Sequence, residues 1–225
     1  DPLDIYIGNP DLESEYQHSL SANFFHFDSF SLTNFFLFGQ ARYSPTAIST
    51  ARTIDERFRQ TQTPINTGAS WSVSGNVSYG TPIRPLKAKV GVSLGGSYRS
   101  QVERLNGLDN ESDLSSVNVR LTLENQRKTN FDLRAGVRAA LNTADYSLNP
   151  EFNRSYLTRA LFAELSKQFG ENWNAETEFS VEYTPADVFG EARSLPLWSA
   201  EISRRVNDQF SVQLVGRDLL DQGLD

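Results

Sequence analysis

The side chains most capable of specific chemistry are two histidines and two groups of carboxylates. His18 and His26 are the only histidines and lie eight residues apart, whereas a metal pair would need them closer together, with carboxylates beside them. Residues 109–113, Asp-Asn-Glu-Ser-Asp, offer the hard oxygen ligands that Ca²⁺ uses. They lack the glycine and the spacing of an EF-hand loop, and we interpret them as a solvated acidic loop. The sequence therefore predicts no metal site.

The second group of carboxylates, Glu176, Glu178 and Glu182, shares one parity of an alternating segment. Closely spaced carboxylates can hydrolyse glycosidic bonds, but we interpret these three as partners of cations such as Arg134 and Arg138, which lie on the polar parity of another alternating segment. Neither histidine lies in a nucleophile or base motif, and no glycine-rich phosphate loop is present. We predict no catalytic residue, no cofactor and no enzyme activity.

The composition of the 225-residue chain limits its class. Hydrophobic residues make up 38% of it, the mean hydropathy is −0.45, and no run approaches the roughly 18 apolar residues of a membrane helix. A membrane β-barrel remains possible, because half of every barrel strand faces a polar lumen. The net charge of −7 does not favour binding of nucleic acid, which requires a basic surface. The absence of cysteine excludes disulfides, thiol nucleophiles and thiolate metal sites.

Residues 69–98 indicate one long β-hairpin with two different faces. Between 69 and 79 the odd positions hold Ala, Trp, Val, Gly, Val and Tyr, whereas the even positions hold only Ser and Asn. Because successive side chains of a strand point to opposite faces, this alternation predicts one apolar and one polar face. Runs of about ten to twelve residues exceed an ordinary strand and match the roughly 9–11 residues that cross a bilayer. Gly91, Gly95 and Gly96 in the second strand would permit curvature or close packing.

The same alternation recurs along the chain and predicts about ten strands with no helix. The predicted strands cover about 16–26, 32–44, 69–79, 87–99, 114–124, 131–142, 155–167, 173–183, 196–203 and a last strand from 210. Connections alternate between short ones, at 27–31, 81–86, 125–130, 169–172 and 206–209, and long ones, at 45–66, 100–113, 143–154 and 184–195. Outer-membrane barrels combine short periplasmic turns with long extracellular loops, so the pattern predicts an all-β, antiparallel up-and-down transmembrane β-barrel meander.

The charges of the polar face decide which face meets lipid. A Lys or Arg facing the bilayer midplane would cost about 2–4 kcal/mol, so we predict that the charged face lines the lumen and that the apolar face contacts lipid. The predicted lumen-facing charges are Lys87, Lys89, Arg120, Glu124, Asp132, Arg134, Arg138, Glu176, Glu178 and Glu182. The predicted aromatic residues of the lipid interface are Trp71, Tyr79, Tyr98, Trp173, Tyr183 and Trp198.

Periodicity alone leaves alternatives open. A soluble lipocalin-like barrel that binds an apolar ligand also alternates, with its apolar face inward. About ten strands could also close by themselves into a small outer-membrane pore or surface enzyme. Strand length, interfacial aromatics and alternating loop lengths favour the membrane barrel over the soluble one. In the 45–66 connection, Arg52, Arg57 and Arg59 belong to a charge cluster that we interpret as a solvated loop, with binding of an anionic ligand or lipopolysaccharide as the alternative.

Two stretches resemble a known family. Residues 8–15, Gly-Asn-Pro-Asp-Leu-Glu-Ser-Glu, belong to a predicted loop before the first strand and resemble the Asn-Pro-x-Leu-x-Pro-Glu motif of TonB-dependent receptor barrels, with Ser14 in place of proline. Residues 195–203 and 210–222 resemble the last hairpin of an outer-membrane β-barrel family common in Bacteroidetes. The spacing of the strands between these stretches is also similar, so the resemblance covers nearly the whole chain.

The resemblance implies part of a larger, plugged barrel of about 22 strands in the bacterial outer membrane. Such a barrel imports a ligand with energy from the TonB complex. No plug domain and no TonB-contacting segment is recognisable, so we expect residues 1–225 to be a single β-barrel region, the C-terminal portion of such a receptor. The expected partners are outer-membrane lipid, the plug domain, the TonB complex and a small-molecule, peptide or glycan ligand, but no nucleic acid.

Overall fold

The computed structural model describes residues 4–126, 131–186 and 190–221. The strands are β1 (Asp4–Tyr6), β2 (His18–Asp28), β3 (Thr33–Ser44), β4 (Ile48–Ile54), β5 (Gln60–Asn66), β6 (Ser70–Ile83), β7 (Ala88–Leu105), β8 (Leu108–Asn125), β9 (Phe131–Tyr146), β10 (Arg154–Phe169), β11 (Trp173–Thr184), β12 (Arg193–Arg205) and β13 (Ser211–Gly216). Two short 3-10 helices, Arg84–Leu86 and Pro150–Phe152, lie in connections. In these ranges no helix has the length and apolar character needed to cross a membrane.

Ten of these strands form one antiparallel meander. β2 pairs with β3, β3 pairs with β6, and each strand from β6 to β13 pairs with the next one along the chain. The register keeps like faces together: Val77 lies between Leu37 of β3 and Leu94 of β7. All ten predicted strands overlap an observed strand, and the predicted all-β, mainly antiparallel meander is confirmed.

The predicted long connection at 45–66 is a β-hairpin rather than a loop, although Arg57 and Arg59 of its charge cluster do lie exposed in the turn at 55–59. β4 and β5 pair along their full lengths. β4 also meets the far end of β7, where Ala51 pairs with Arg104 in parallel. β1 pairs in parallel with β5, so the first residues are not all loop either. The alternation rule missed these strands because both faces carry polar residues, Arg52, Gln60 and Gln62 on one and Ser49, Thr53, Thr61 and Thr63 on the other, so no apolar face marks them.

The predicted loops at 100–113 and 143–154 are mostly strand extensions. β7 runs to Leu105 and β8 begins at Leu108, so only Asn106 and Gly107 join them. Both of these residues have positive φ, +49° and +83°, a conformation that Asn and Gly tolerate in two-residue hairpins. β9 reaches residue 146 and β10 begins at 154. The apolar alternation ends before the strands do, because both faces become polar beyond it.

Two ends of the meander differ in the kind of connection that they carry. The short turns at 29–32, 170–172 and 206–210 lie at one end, here called the short-turn end. The extensions of β7–β8 and β9–β10, together with the β4–β5 hairpin, lie at the other, the long-hairpin end. Parts of the predicted 125–130 and 184–195 connections, and residue 222 of the resembling C-terminal stretch, fall outside the described residues.

The sheet has an apolar face and a polar face but no packed core. Within the described ranges, Ala47 and Ala88 are the only buried hydrophobic residues, and Ser44 is the only fully buried side chain. A soluble domain of this size would bury most of its large apolar side chains. Here Leu121 and Val137 on the apolar face remain 44% and 43% exposed. The soluble lipocalin-like alternative required this face to be enclosed by protein, and the structure does not enclose it.

The meander is an open sheet whose edges are β2 and β13. No pairing joins these two strands in the part of the chain that the structure describes. Apolar side chains at the edges are more exposed than those in the middle, with Leu20 at 72% and Leu214 at 71%. Each edge presents backbone N–H and C=O groups without a neighbouring strand, an arrangement that a bilayer interior does not tolerate. The ten strands alone therefore do not form a closed barrel here.

Candidate functional site: the charged face of the sheet

The polar face of the sheet carries nine of the ten charged residues predicted to face the lumen. They are Lys89, Arg120, Glu124, Asp132, Arg134, Arg138, Glu176, Glu178 and Glu182. Lys87 instead lies in the turn before β7, with a left-handed φ of +49°. The alternation pattern predicted Lys87 as part of the strand, because Lys87 has the same parity as Lys89. The turn instead ends one residue later than predicted, and β7 begins at residue 88.

Five charged residues from five neighbouring strands form one continuous row. Lys89, Glu124, Arg134, Glu164 and Glu178 are successive partners in the register from β7 to β11. Nε of Arg134 donates to Oε1 of Glu124 at 2.9 Å, and Nη1 of Arg134 lies 3.5 Å from Oε2 of Glu164. The Arg134 side chain is 44% exposed, so each ion pair contributes at most about 1 kcal/mol. We call this set the charged row.

Glu164 is a member of the charged row that the sequence prediction omitted. Its signal was available, because Glu164 has the opposite parity to Leu161, Ala163 and Leu165, which were assigned to the apolar face. The irregular pattern of β10, with Arg159 on the apolar side and Phe162 on the polar side, obscured the assignment. The register resolves it: Glu164 faces Arg134 on one side and Glu178 on the other.

Charges are unevenly distributed across the polar face. In the described strands, β7 to β9 carry five cations on this face, Lys89, Arg99, Arg120, Arg134 and Arg138, and three carboxylates, Glu103, Glu124 and Asp132. On β10 to β12 the same face carries five carboxylates, Glu164, Glu176, Glu178, Glu182 and Glu201, and three arginines, Arg154, Arg193 and Arg205. Glu176 lies directly opposite Glu201, and Glu164 lies directly opposite Glu178. Like charges in directly opposed positions are destabilising. The acidic half of the face therefore favours contact with cationic groups from outside the sheet.

Two arginines also oppose each other across neighbouring strands. Arg120 of β8 and Arg138 of β9 are direct partners in the register. Nη2 of Arg138 donates to Oε2 of Glu182 at 3.3 Å. The guanidinium carbon of Arg120 lies 4.5 Å from the centre of the Phe162 ring, a cation–π contact. One of the two guanidinium groups thus contacts a carboxylate, and the other contacts an aromatic ring.

These arginines line a cleft of about 650 Å³ on the polar face. It is also lined by three amides, four hydroxyls, one alanine and one carboxylate: Asn76, Asn118, Asn142, Ser93, Ser116, Tyr156, Thr158, Ala140 and Glu182. Except for Glu182, every side chain that lines this cleft is neutral or cationic. We call this cleft the arginine cleft. A second cleft, of about 810 Å³, includes Arg134, Glu164, Glu176, Glu178 and Glu201 and so covers much of the acidic half.

The carboxylates considered for glycosidase chemistry are not assembled as a pair around one point. Glu176, Glu178 and Glu182 lie on the same face of one strand, with Ser180 between Glu178 and Glu182. Glu176 accepts a hydrogen bond from Nδ2 of Asn174 at 2.7 Å, while Glu182 contacts Arg138. Glu176 and Glu182 thus contact different residues. The contact between Glu182 and Arg138 agrees with the interpretation of these glutamates as partners of cations on the same face.

The six predicted interface aromatics all lie on the apolar face. Trp71 packs against Tyr43 with ring centroids 4.2 Å apart, and Nε1 of Trp198 donates to Oγ1 of Thr177 at 2.8 Å. Tyr79, Trp173 and Tyr183 share the face. Tyr98 lies well inside β7 rather than near its end, because β7 continues to Leu105. Its hydroxyl donates to Oδ1 of Asp113 at 2.9 Å.

The remaining candidate sites do not assemble into metal or catalytic centres. His18 and His26 lie at opposite parts of β2, and His18 stacks on Tyr43 at 6.3 Å. Residues 109–113 belong to β8 rather than to a loop, and their three carboxylates, Asp109, Glu111 and Asp113, are spread along one face of that extended strand. In the ranges that the structure describes, no group of three or more His, Asp or Glu is arranged to hold a metal ion.

At the long-hairpin end, two carboxyls are held ionised by neighbouring arginines. The backbone N–H and the side chain of Arg59 donate to Asp55 and lower its pKa. Nε of Arg104 donates to Asp109 at 2.7 Å and lowers the pKa of that carboxyl. Both carboxyls are exposed and fix hairpin tips. Arg59, one of the three arginines considered for an anionic ligand, is thus already paired with Asp55.

Comparison with known proteins identifies the family. The outer membrane protein beta-barrel family has a model that matches residues 1–153, about two thirds of the chain. No curated protein matches the sequence. The matched residues contain β1 to β9, including Arg120 and Arg138 of the polar face. The chain belongs to the outer membrane protein beta-barrel family and is located in the bacterial outer membrane.

Proposed function

We propose that the protein forms part of the barrel wall of a TonB-dependent-receptor-like importer. The observation that carries this proposal is the pair of direct carboxylate oppositions on the polar face of β10 to β12, Glu164 with Glu178 and Glu176 with Glu201. In a water-filled pore, only dissolved counterions would offset the repulsion between these carboxylates. A plug inside the lumen would supply fixed cationic groups, as expected of a receptor whose lumen is filled by protein.

The open edges of the sheet support a wall larger than ten strands. β2 and β13 are unpaired with each other in the described residues, and backbone groups at such edges require partners within a bilayer. Additional strands of a barrel of about 22 strands would supply them. The strands of 11 to 18 residues in β2, β7 and β8 are long enough to cross the membrane and to project beyond it.

The segment at 8–15, which resembles the receptor motif, is hydrogen-bonded to the β4–β5 hairpin. Nδ2 of Asn9 donates to the carbonyl oxygen of Pro64 at 3.0 Å. Glu13 and Asn66 exchange two hydrogen bonds, from Glu13 N at 2.8 Å and from Asn66 Nδ2 at 3.0 Å. Oε2 of Glu15 accepts a bond from the backbone N–H of Ile48 at 3.2 Å. These hydrogen bonds hold residues 9, 13 and 15 of the segment against the β4–β5 hairpin, just before β2 begins.

In this proposal the apolar face contacts lipid, the polar face lines the lumen, and the long-hairpin end is extracellular. The short turns then lie in the periplasm. The protein moves a ligand and performs no catalysis, consistent with the dispersed carboxylates of β11. The importer requires two partners, the plug and the TonB complex.

The test is photo-crosslinking of the full-length protein to TonB in its host bacterium, with and without an uncoupler of the proton gradient. Energy-dependent crosslinking is expected. A full-length protein that never crosslinks to TonB, and whose proteoliposomes swell freely in small neutral sugars, is a passive pore. That outcome would overturn the importer in favour of the small-pore alternative.

A further inference from the structure

The arginine cleft carries charge that the sheet itself does not balance. Arg120 and Arg138 are direct register partners, and directly opposed like charges are unfavourable. Glu182 balances one of them, through a single contact at 3.3 Å between side chains that are both about half exposed. Arg120 has no carboxylate within ion-pair distance in the described residues, and its one charge-related contact is the Phe162 ring.

The guanidinium groups retain free hydrogen-bond donors. A guanidinium has five N–H donors in one plane. The Arg120 guanidinium lies over the Phe162 ring and donates no hydrogen bond within the described residues, and Glu182 takes one terminal nitrogen of Arg138. A planar fork of this kind matches a carboxylate with two parallel hydrogen bonds.

The size of the uncompensated charge selects among anions. Two guanidinium groups and Glu182 together leave one net positive charge. A carboxylate with one negative charge neutralises it. A phosphate monoester, with about −1.5 to −2 charges at pH 7, would exceed it and be repelled by Glu182.

The rest of the arginine cleft suits a ligand rich in hydroxyl groups. Three amides and four hydroxyls line it. The internal hydrogen bonds that these side chains make are long: Nδ2 of Asn76 to Leu94 O at 3.4 Å, Nδ2 of Asn142 to Ala140 O at 3.5 Å, and Oγ1 of Thr158 to Ala140 O at 3.4 Å. Bonds of this length are weak, so a ligand hydroxyl would displace them at little cost.

The arginine cleft runs from the middle of the wall towards the long-hairpin end. Arg120 lies five residues from the end of β8 at the short-turn end, whereas Tyr156 and Thr158 are within four residues of the start of β10, at the long-hairpin end. The charged row, by contrast, crosses β8 at Glu124 and β9 at Arg134, close to the short-turn end. The two groups of charges are therefore separated along the wall, and the cleft is the one nearer the side from which a ligand enters.

We propose that the arginine cleft binds a carboxylate-bearing, hydroxyl-rich solute, the chemical class of an acidic saccharide. The carboxylate bridges Arg120 and Arg138, and ligand hydroxyls bond to Asn118, Asn142 and Thr158. This inference rests on the proposed import function, for which it names the class of ligand.

The test measures binding to the full-length protein in detergent micelles by calorimetry, with a galacturonate trisaccharide as the acidic probe and maltotriose as the neutral one. The acidic probe should bind more tightly than the neutral one. Arg120→Gln should weaken its binding by about tenfold or more, since a hydrogen bond to a charged group is lost. Arg120→Lys, which keeps the charge but not the fork, should lose less. Arg99→Gln is the matched control on the same face, and it should leave the affinity unchanged.

Three results would overturn the proposal: equal binding of both probes, equal affinity of the Arg120→Gln and Arg99→Gln variants, or inorganic phosphate displacing the acidic probe as strongly as free galacturonate does. Far-UV circular dichroism of each variant shows that the sheet has formed, and Arg138→Lys provides a second substitution in case Arg120→Gln does not fold. The outcome is separable from the import test. A protein that crosslinks to TonB but ignores the acidic probe keeps the importer and loses the ligand class, and the reverse result keeps the binding site alone.

Discussion

The ring of Phe162 occupies the space that a side chain at position 136 would need. The two residues are register partners on β10 and β9. A Cβ atom built on Gly136 would lie 2.5 Å from Cζ and 2.8 Å from Cε1 of Phe162, and it would also meet the carbonyl oxygen of Leu121. Phe162 in turn supports the guanidinium of Arg120. A glycine on one strand therefore sets the position of a cation two strands away from the ring.

We predict that Gly136→Ala destabilises the protein. Because a backbone oxygen blocks one side, the added methyl must displace the Phe162 ring, and overpacking of this kind costs about 1–3 kcal/mol. Chemical denaturation in micelles would measure the change. Gly39→Ala is the matched control, since no atom lies within 4 Å of a Cβ added there. Equal stability of the two variants would contradict the close approach of Phe162 to Gly136.

We predict that Trp71, Trp173 and Trp198 face lipid. All three lie on the apolar face, and their side chains are 47%, 42% and 41% exposed. In bilayers that contain brominated lipid, their fluorescence should be strongly quenched. The measurement compares emission in brominated and ordinary lipid.

A protein with these three tryptophans replaced by Phe, and with Ser74→Trp on the polar face, serves as the control. Ser74 pairs with Gln40 and Ser97 among polar neighbours, so its tryptophan should escape quenching. Quenching of the Ser74→Trp protein, with the native tryptophans unquenched, would reverse the assignment of the two faces.

The sequence predicted the membrane-sized part of each strand because lipid contact imposes a strict apolar alternation there. The register inherits this pattern: Leu37, Val77, Leu94 and Val119 follow one another across β3, β6, β7 and β8. Where no lipid or core constrains the side chains, alternation disappears although the backbone still pairs. The β4–β5 hairpin and the extensions of β7 and β8 were missed for that reason.

The charged residues of the polar face could be listed from the sequence, but their grouping could not. Parity places Arg120 and Arg138 on the same face without saying that they are direct partners, since that depends on the register of two strands joined by a turn. The same holds for Glu164, which links Arg134 to Glu178 only through the register of β9, β10 and β11.

We predict that Arg134→Glu destabilises the sheet by about 1 kcal/mol, the range for opposed like charges and lost exposed ion pairs. The substitution would remove the contacts at 2.9 Å and 3.5 Å and place four carboxylates in successive positions of the charged row. Adding Glu164→Arg should recover most of the loss, because an arginine there would lie between carboxylates at 134 and 178. Arg99→Glu, on the same face but outside the row, is the control. Additive effects of the two substitutions in denaturation measurements would show that positions 134 and 164 do not interact.

We predict that the β4–β5 turn loses its order in acid only below the ordinary pKa of an aspartate. The backbone N–H groups of Arg57 and Arg59 donate to Oδ1 of Asp55 at 2.8 and 2.9 Å, and these bonds, with the Arg59 side chain, lower the pKa of Asp55. A folded-state pKa below the unfolded value means that the stabilisation is complete above about pH 3.9 and is lost as pH falls through the folded-state pKa. The amide proton shifts of Arg57 and Arg59, followed by NMR, should titrate together with a midpoint below about 3.9. Asp55→Asn should abolish the titration, whereas Glu56→Gln, at the neighbouring position, should leave it intact. A midpoint at or above the ordinary aspartate value would show that these hydrogen bonds do not hold Asp55 ionised.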